Sequence, residues 1–203
     1  MAFSGRDACN TSMPRGPPVS LPPDLPIPVD DGACDHLAGA RLPSVALRST
    51  AGGSVNLADL RGTIVVYVYP HTGRPDIPTP REWDLIPGAR GCTPEACAYR
   101  DHHAELRELG ATVYGVSIDP PEWQREAVDR LHLPFELLSD QDRSWSRRIR
   151  LPTFPFRDQI FLKRLTLVLE DQRVGKVFYP AFPPDRGPAD VIQFLSSERR
   201  TGR

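Results

Sequence analysis

The chain is poor in sulfur and lysine, and it has no long apolar run. Its 203 residues include four cysteines, two methionines and two lysines, Lys163 and Lys176, against 23 arginines, with a formal net charge of −1. The charges of both signs are scattered rather than blocked, which removes the electrostatic footprint expected of a nucleic-acid or anionic-membrane partner. The longest apolar run, Ile64 to Tyr69, falls far short of the ~20 residues a membrane helix needs. The opening "MAFSGRDACN" lacks the apolar core of a secretory signal, so the expected location is the cytoplasm. Thiols stay reduced there, and well-placed cysteines then point to redox or metal chemistry rather than a structural brace. No Gly-rich phosphate loop and no Ser-His-Asp arrangement is evident.

Proline is abundant, with 23 residues, and it is unevenly distributed. Residues 1–30 contain "MPRGPPVSLPPDLPIP", too proline-rich for regular structure and too poor in apolar residues for a core. We read them as an extended arm ahead of one domain, residues 31–203. In that domain "RLPSVALRSTAGGSVNLADLRG" carries a hairpin signal at its Gly-Gly pair, and "TIVVYVYP" reads as a buried central strand stopped by Pro70. The Pro- and Gly-rich stretch "HTGRPDIPTPREWDLIPGARG" is a long loop of the kind usually tied to function.

A helix is predicted after that loop, with Thr93 as its cap, Pro94 as its first residue and Gly110 as its end. Beyond it, "ATVYGVSID" and "FELLSD" read as strands and "PEWQREAVDRLHL" and "DRSWSRRIRL" as helices. "RLTLVLEDQRVGKVFYP" is a strand pair turning at Asp171 and Gln172, and "PADVIQFLSSERR" is a closing helix. This alternation predicts an α/β layered domain.

Two of the four cysteines, Cys92 and Cys97, fall at the start of the first long helix. Cys92 lies just ahead of it, where unpaired backbone N–H groups and the positive end of the dipole favour an anion, with Arg90 two residues upstream. A lowered pKa and a nucleophilic role are expected for it. Cys97 is ~7.5 Å further along the axis and ~140° around it on a continuous helix. A disulfide needs Cα atoms within ~7 Å, so the pair can react only if the helix start unwinds. A zinc site from these thiols and His102 or His103 lacks a familiar ligand spacing, and neither metal nor cofactor is expected. Cys34 reads either as a further redox thiol or as a small loop residue. Cys9, in the arm, reads as incidental.

"GCTPEACAYRD" resembles the active-site segment of peroxiredoxins, most closely the peroxiredoxin Q (bacterioferritin comigratory protein) subfamily with its GCT-x-E-x-C-x-F-R-D run. "VVYVYP", "FELLSD" and "KRLTLVLEDQRVGKVF" resemble that subfamily's further landmarks, in its order, over roughly Leu42 to Leu195. The resemblance implies a thioredoxin-like fold of the peroxiredoxin type, a central mixed β-sheet flanked by helices. It implies a thiol peroxidase in which Cys92 is the peroxidatic nucleophile, Cys97 the resolving thiol, Arg164 the stabiliser of thiolate and peroxide, and Glu95 the residue that orients Arg164. The implied partners are a peroxide and a thioredoxin-like or low-molecular-weight thiol reductant, with the chain a monomer or homodimer.

The sequence also departs from that pattern. The family's threonine three residues before the cysteine is Ala89 here, Arg90 replaces its proline, and the loop is longer by about fifteen residues. Thr72 and Thr79 are candidates to restore a hydroxyl, and His71 is a different donor. Arg90 and Trp83 complete the expected substrate-binding set, with Trp83 in a roof for a larger substrate. The alternative function is a thioredoxin-fold thiol–disulfide oxidoreductase acting on a protein or specialised metabolite.

Overall fold

A computed structural model describes Leu21 and residues 24–202. Most of the proline-rich arm, and Cys9 with it, lies outside the described residues. The first strands are the antiparallel pair Ala46–Ser49 (β1) and Ser54–Asn56 (β2). Their turn uses Gly52 and Gly53 at φ 97° and 67°, backbone angles that favour glycine. Thr63–Val68 (β3) follows, and its period-two alternation sends Ile64, Val66 and Val68 into one core and Val65 and Tyr67 into the other. A strand buried on both faces reads as a continuous apolar run for this reason.

The long loop contains one helical turn, Arg81–Asp84 (α1). Next come the helices Cys92–Asp101 (α2) and His103–Glu108 (α3), then Ala111–Ser117 (β4), Pro121–Leu131 (α4), Glu136–Ser139 (β5) and Ser144–Arg148 (α5). Two short strands, Thr153–Phe156 (β6) and Gln159–Leu162 (β7), form a separate hairpin. Leu165–Glu170 (β8), Arg173–Phe178 (β9) and the helix Gly187–Arg200 (α6) complete the chain.

Seven strands make one sheet in the order β2-β1-β5-β4-β3-β8-β9. β3, β4 and β5 run parallel, while β8 and β9 on one side and β1 and β2 on the other are antiparallel additions. The mixed sheet flanked by helices is the expected α/β architecture. Ala96, Tyr99, Leu106, Val191 and Leu195 from α2, α3 and α6 cover one face, and Trp145 of α5 packs on the other. Each fully buried Val or Leu contributes about 1.5–3 kcal/mol relative to exposure, so β3 alone anchors both layers.

Three local expectations need correction. The helix begins at Cys92 rather than at Pro94, because Gly91 at φ 109° takes the cap position and Glu95 N–H already bonds Gly91 O at 3.0 Å. It also does not run unbroken to Gly110, since His102 leaves helical geometry at φ −95° and ψ 5°. The β6–β7 hairpin has no counterpart in the sequence reading. Its strands are four residues long and include Pro155, which a two-stranded ribbon tolerates because both strands are edges. That hairpin matters, because Phe154 and Phe161 pack on Trp83 and Ala89 of the long loop and hold it over the carboxyl ends of β3 and β4.

Candidate active site

The site is assembled where α2 starts, against β8 and the loop that follows β3. Gly91 allows this approach, since an added Cβ would lie 2.3 Å from Pro184 Cγ. Cys92 is the first residue of α2 and Thr93 the second, so Thr93 does not cap the helix. Pro94 is tolerated in this first turn because its missing N–H has no helical partner to lose.

Glu95 and Ala96 turn inward one helical step later. Glu95, fully buried, receives a hydrogen bond from Arg164 Nη1, and Arg164 is itself only 3% exposed. Arg164 Nη2 lies 3.2 Å from Cys92 Sγ, and further guanidinium bonds reach the carbonyls of Gly88, Ala89 and Arg90 at 3.2, 3.3 and 3.4 Å. One residue on, Leu165 begins β8, and Tyr99 OH bonds Thr166 at 3.0 Å, a second tie between α2 and that strand. The spacing Arg164, Thr166 thus clamps the helix that carries Cys92. Tyr99 and Thr166 are site supports that sequence reasoning did not single out.

The electrostatics differ from expectation. Burial pushes the Cys92 thiol up, outweighing Arg164, which pulls it down, while Glu95 adds to the rise and the His71 backbone N–H opposes it. Arg90 takes no part: its guanidinium pairs with Asp84 at 3.2 Å. The expected lowered pKa is therefore not found in this closed, helical arrangement, because desolvation of a thiolate outweighs one cation and a helix end. Burial also pushes Glu95 up to about 7 despite Arg164, and Glu95 Oε1 has no hydrogen-bond partner among the described residues. Two potential anions therefore share one cation.

Cys97 lies on the same unbroken helix, partly exposed, with its thiol also raised by burial. Both cysteines are free. Five residues of helix put them ~7.5 Å apart along the axis, beyond disulfide reach while α2 stays formed. Cys34 does not face the site. It is 5% exposed in the core with Leu37 and Trp145, and burial, with Asp31 and Asp30 nearby, pushes it up to about 12.

The thiol opens on a cleft of about 240 Å³ whose lining includes His71, Thr79, Trp83, Ala89, Arg90 and Cys92. Thr79, Trp83 and Arg90 are brought together there. Thr72 is not: it is buried, its hydroxyl bonds Tyr69 OH at 3.1 Å, and it lines a separate small space beside Cys92. Ala89 is fully buried and brings no hydroxyl.

Sequence reasoning also missed Asp119. This buried carboxylate follows β4 and accepts hydrogen bonds from His71 Nδ1 at 2.6 Å, Thr72 N–H at 2.7 Å and Ser117 Oγ at 2.7 Å. Gln124 of α4 bonds the same Ser117 at 2.9 Å. The available signal was position, since polar groups gather at the carboxyl ends of parallel strands in α/β sheets, and His71 and Asp119 follow two adjacent ones. Among the described residues no group of His, Cys, Asp or Glu is arranged to hold a metal, and no helix is long and apolar enough to cross a membrane.

A cysteine at a helix start, held beside a buried Arg–Glu pair on a thioredoxin-like sheet, defines a thiol-redox class of protein. The Redoxin family model matches residues 37–192, and the chain belongs to the redoxin family. Its named relatives are of the peroxiredoxin Q and Bcp type. It is 28% identical to the chloroplastic peroxiredoxin Q of Gentiana triflora over 186 residues, 88% of this chain and 78% of that one. It is 36% identical to peroxiredoxin Bcp of Bacillus subtilis over 105 residues, 51% of this chain and 57% of that one. In fold it is similar to the crystal structure of peroxidoxin BcpB from Mycobacterium tuberculosis, with TM-score 0.64 and 24% identity over 79% of this chain and 96% of that one.

Proposed function

We propose that the protein is a thiol peroxidase in which Cys92 is the nucleophile and Cys97 the resolving thiol. The observation that carries this reading is the buried Arg164, bonded to Glu95 and 3.2 Å from Cys92 Sγ. A cation fixed there by a carboxylate and three carbonyls stabilises negative charge on sulfur and on the departing oxygen without reorganising during reaction. Cys92 sulfur, deprotonated, attacks the terminal oxygen of the peroxide. The O–O bond breaks, sulfur becomes a sulfenic acid, and the alcohol or water leaves with one proton. The start of α2 then unwinds, Cys97 sulfur displaces water from the sulfenic acid, and a disulfide forms. A thioredoxin-like protein or low-molecular-weight thiol reduces it by exchange.

The cleft supports a reading of the substrate class. About 240 Å³ walled by Trp83 is several times the ~30 Å³ that one water occupies, which leaves room for an organic hydroperoxide as well as for hydrogen peroxide. Thr79 and Arg90 at the cleft are the polar contacts we assign to such a substrate. We assign residues 31–203 to the catalytic domain, working in the cytoplasm.

The test is stopped-flow oxidation of the reduced protein by hydrogen peroxide and by cumene hydroperoxide, followed by disulfide mapping. Oxidation that requires Cys92 and ends in a Cys92–Cys97 bond supports the peroxidase. Slow oxidation by both peroxides, with rapid exchange against a partner disulfide, would replace it with the thiol–disulfide oxidoreductase reading.

A further inference from the structure

The peroxidase reading leaves one chemical task without an owner. The departing alkoxide or hydroxide needs a proton, and the thiol, raised by burial, must first lose one. The hydroxyl expected three residues before Cys92 is absent, because that position is the buried Ala89. Thr72 is already engaged with Tyr69, and the Arg164 guanidinium does not give up a proton in this pH range.

His71 lines the cleft together with Cys92. Its Nδ1 is 2.6 Å from Asp119 Oδ1, and Asp119 is 3% exposed and held in turn by Thr72 N–H and Ser117 Oγ. A carboxylate so placed selects the tautomer with the proton on Nδ1 and leaves Nε2 to work, as second-group orientation of a histidine does in other nucleophile–base pairs. Nε2 has no hydrogen-bond partner among the described residues. Trp83, Trp123 and Phe161 stand edge-on around the ring, with centroids 6.0, 5.8 and 5.9 Å away, which fixes its plane and keeps bulk water from most of it.

Resting on the peroxidase reading, we propose that His71 is the proton carrier of the reaction, set in place by Asp119 as its positioning residue. His71 Nε2 takes the proton of the Cys92 thiol, directly or through one water. The thiolate attacks the terminal oxygen of ROOH, the S–O bond forms as O–O breaks, and RO⁻ takes the proton back from His71. The sum is thiol plus ROOH giving sulfenic acid plus ROH, with His71 unchanged. Because donation to the leaving oxygen is part of the step, its value depends on how basic that oxygen is.

The experiment compares two oxidants on reduced wild-type protein and on His71→Ala, by stopped flow. Cumene hydroperoxide expels a strongly basic alkoxide, whereas peracetic acid expels acetate, which needs no proton. Deprotonation of the thiol is common to both oxidants, so the readout is the ratio of the two losses: a missing general acid typically costs 10²–10⁴-fold, and we expect the fall with cumene hydroperoxide to exceed that with peracetic acid by at least about 100-fold. Added imidazole restores part of the first loss. His71→Gln keeps an N–H toward Asp119 and should show the same split, which covers the case in which the alanine variant fails to fold. Asp119→Asn should show a smaller loss with the same split. Equal losses with both oxidants would mean that His71 returns no proton to the leaving oxygen and would overturn the proposal, as would no loss at all. Wild type inert to both oxidants would overturn the peroxidase reading itself, and this inference with it.

Discussion

Cys92 and Cys34 are thiols in two parts of the molecule, and burial raises both of them. Cys34 sits in the core beneath the sheet, 5% exposed, with the carboxylates of Asp30 and Asp31 adding to the rise. Cys92 sits at a helix start, partly exposed to a cleft, with Arg164 at 3.2 Å pulling the other way. Burial is common to the two, so burial does not make a thiol reactive. The difference is a fixed cation, an open path for an oxidant and a second thiol on an element that can unwind.

The largest expected effect separates the two directly. Cys92→Ser should abolish oxidation by peroxide, whereas Cys34→Ser should leave the rate of the first oxidation unchanged, as read by stopped-flow fluorescence. Iodoacetamide should likewise label Cys92 in the folded protein and Cys34 only after denaturation, with mass spectrometry locating the label. Rapid native labelling of Cys34 would break the comparison.

Removing each thiol's nearby cation gives the next largest contrast. Arg164→Gln leaves Glu95 buried without its charge partner, for which about 3–5 kcal/mol of stability should be lost. Loss of a preorganised donor beside the reacting atoms should also slow oxidation by about 10²–10³-fold. Lys163, which meets Asp31 at 2.6 Å near Cys34, is 35% exposed. Lys163→Met should cost no more than about 1 kcal/mol in urea denaturation, the usual worth of a surface pair.

A subtler change tests the two anions sharing Arg164. Glu95→Gln removes a charge that raises the Cys92 thiol, so the thiolate, followed by its ultraviolet absorbance, should form at lower pH than in wild type. The carboxyl of Glu95 is itself pushed up from 4.5 to about 7, so the native state holds a proton there that the unfolded state has lost. Stability from this group is full below about pH 4.5 and is lost as pH rises toward 7. Glu95→Gln should flatten that part of the denaturation profile.

The last contrast belongs to Cys34 and is confined to alkaline pH. Its pKa rises from 9.0 unfolded to about 12 folded, so its contribution is complete below pH 9 and is lost between 9 and 12. Cys34→Ala should weaken the alkaline decline in stability over that window, measured by urea denaturation at stepped pH.

Much of the fold was legible because its signals are local. The apolar run Ile64 to Tyr69 reads as a doubly buried strand, and Asp171 and Gln172, both at positive φ, turn β8 into β9 where expected. The β6–β7 hairpin was not legible. Its strands owe their pairing to Trp83 packing on Phe154 and Phe161, a contact between segments some seventy residues apart. Helix α2 starts at Cys92 because Gly91 fits against Pro184, again a distant partner.

The sequence by itself determined the elements of the main sheet and most of its helices, the place of Cys92 and Cys97 on one helix, and the match of Arg164 and Glu95 to a family pattern. Periodicity, turn residues and motif spacing are properties of neighbours along the chain, and a single sequence displays them. Only the tertiary structure decided that Arg90 pairs with Asp84 instead of the thiol, that Thr72 is engaged with Tyr69, and that Asp119 holds His71 beside the cleft. It also decided the direction of the Cys92 pKa. Desolvation, charge and hydrogen-bond competition depend on what surrounds an atom in space, and distance along the chain does not encode that.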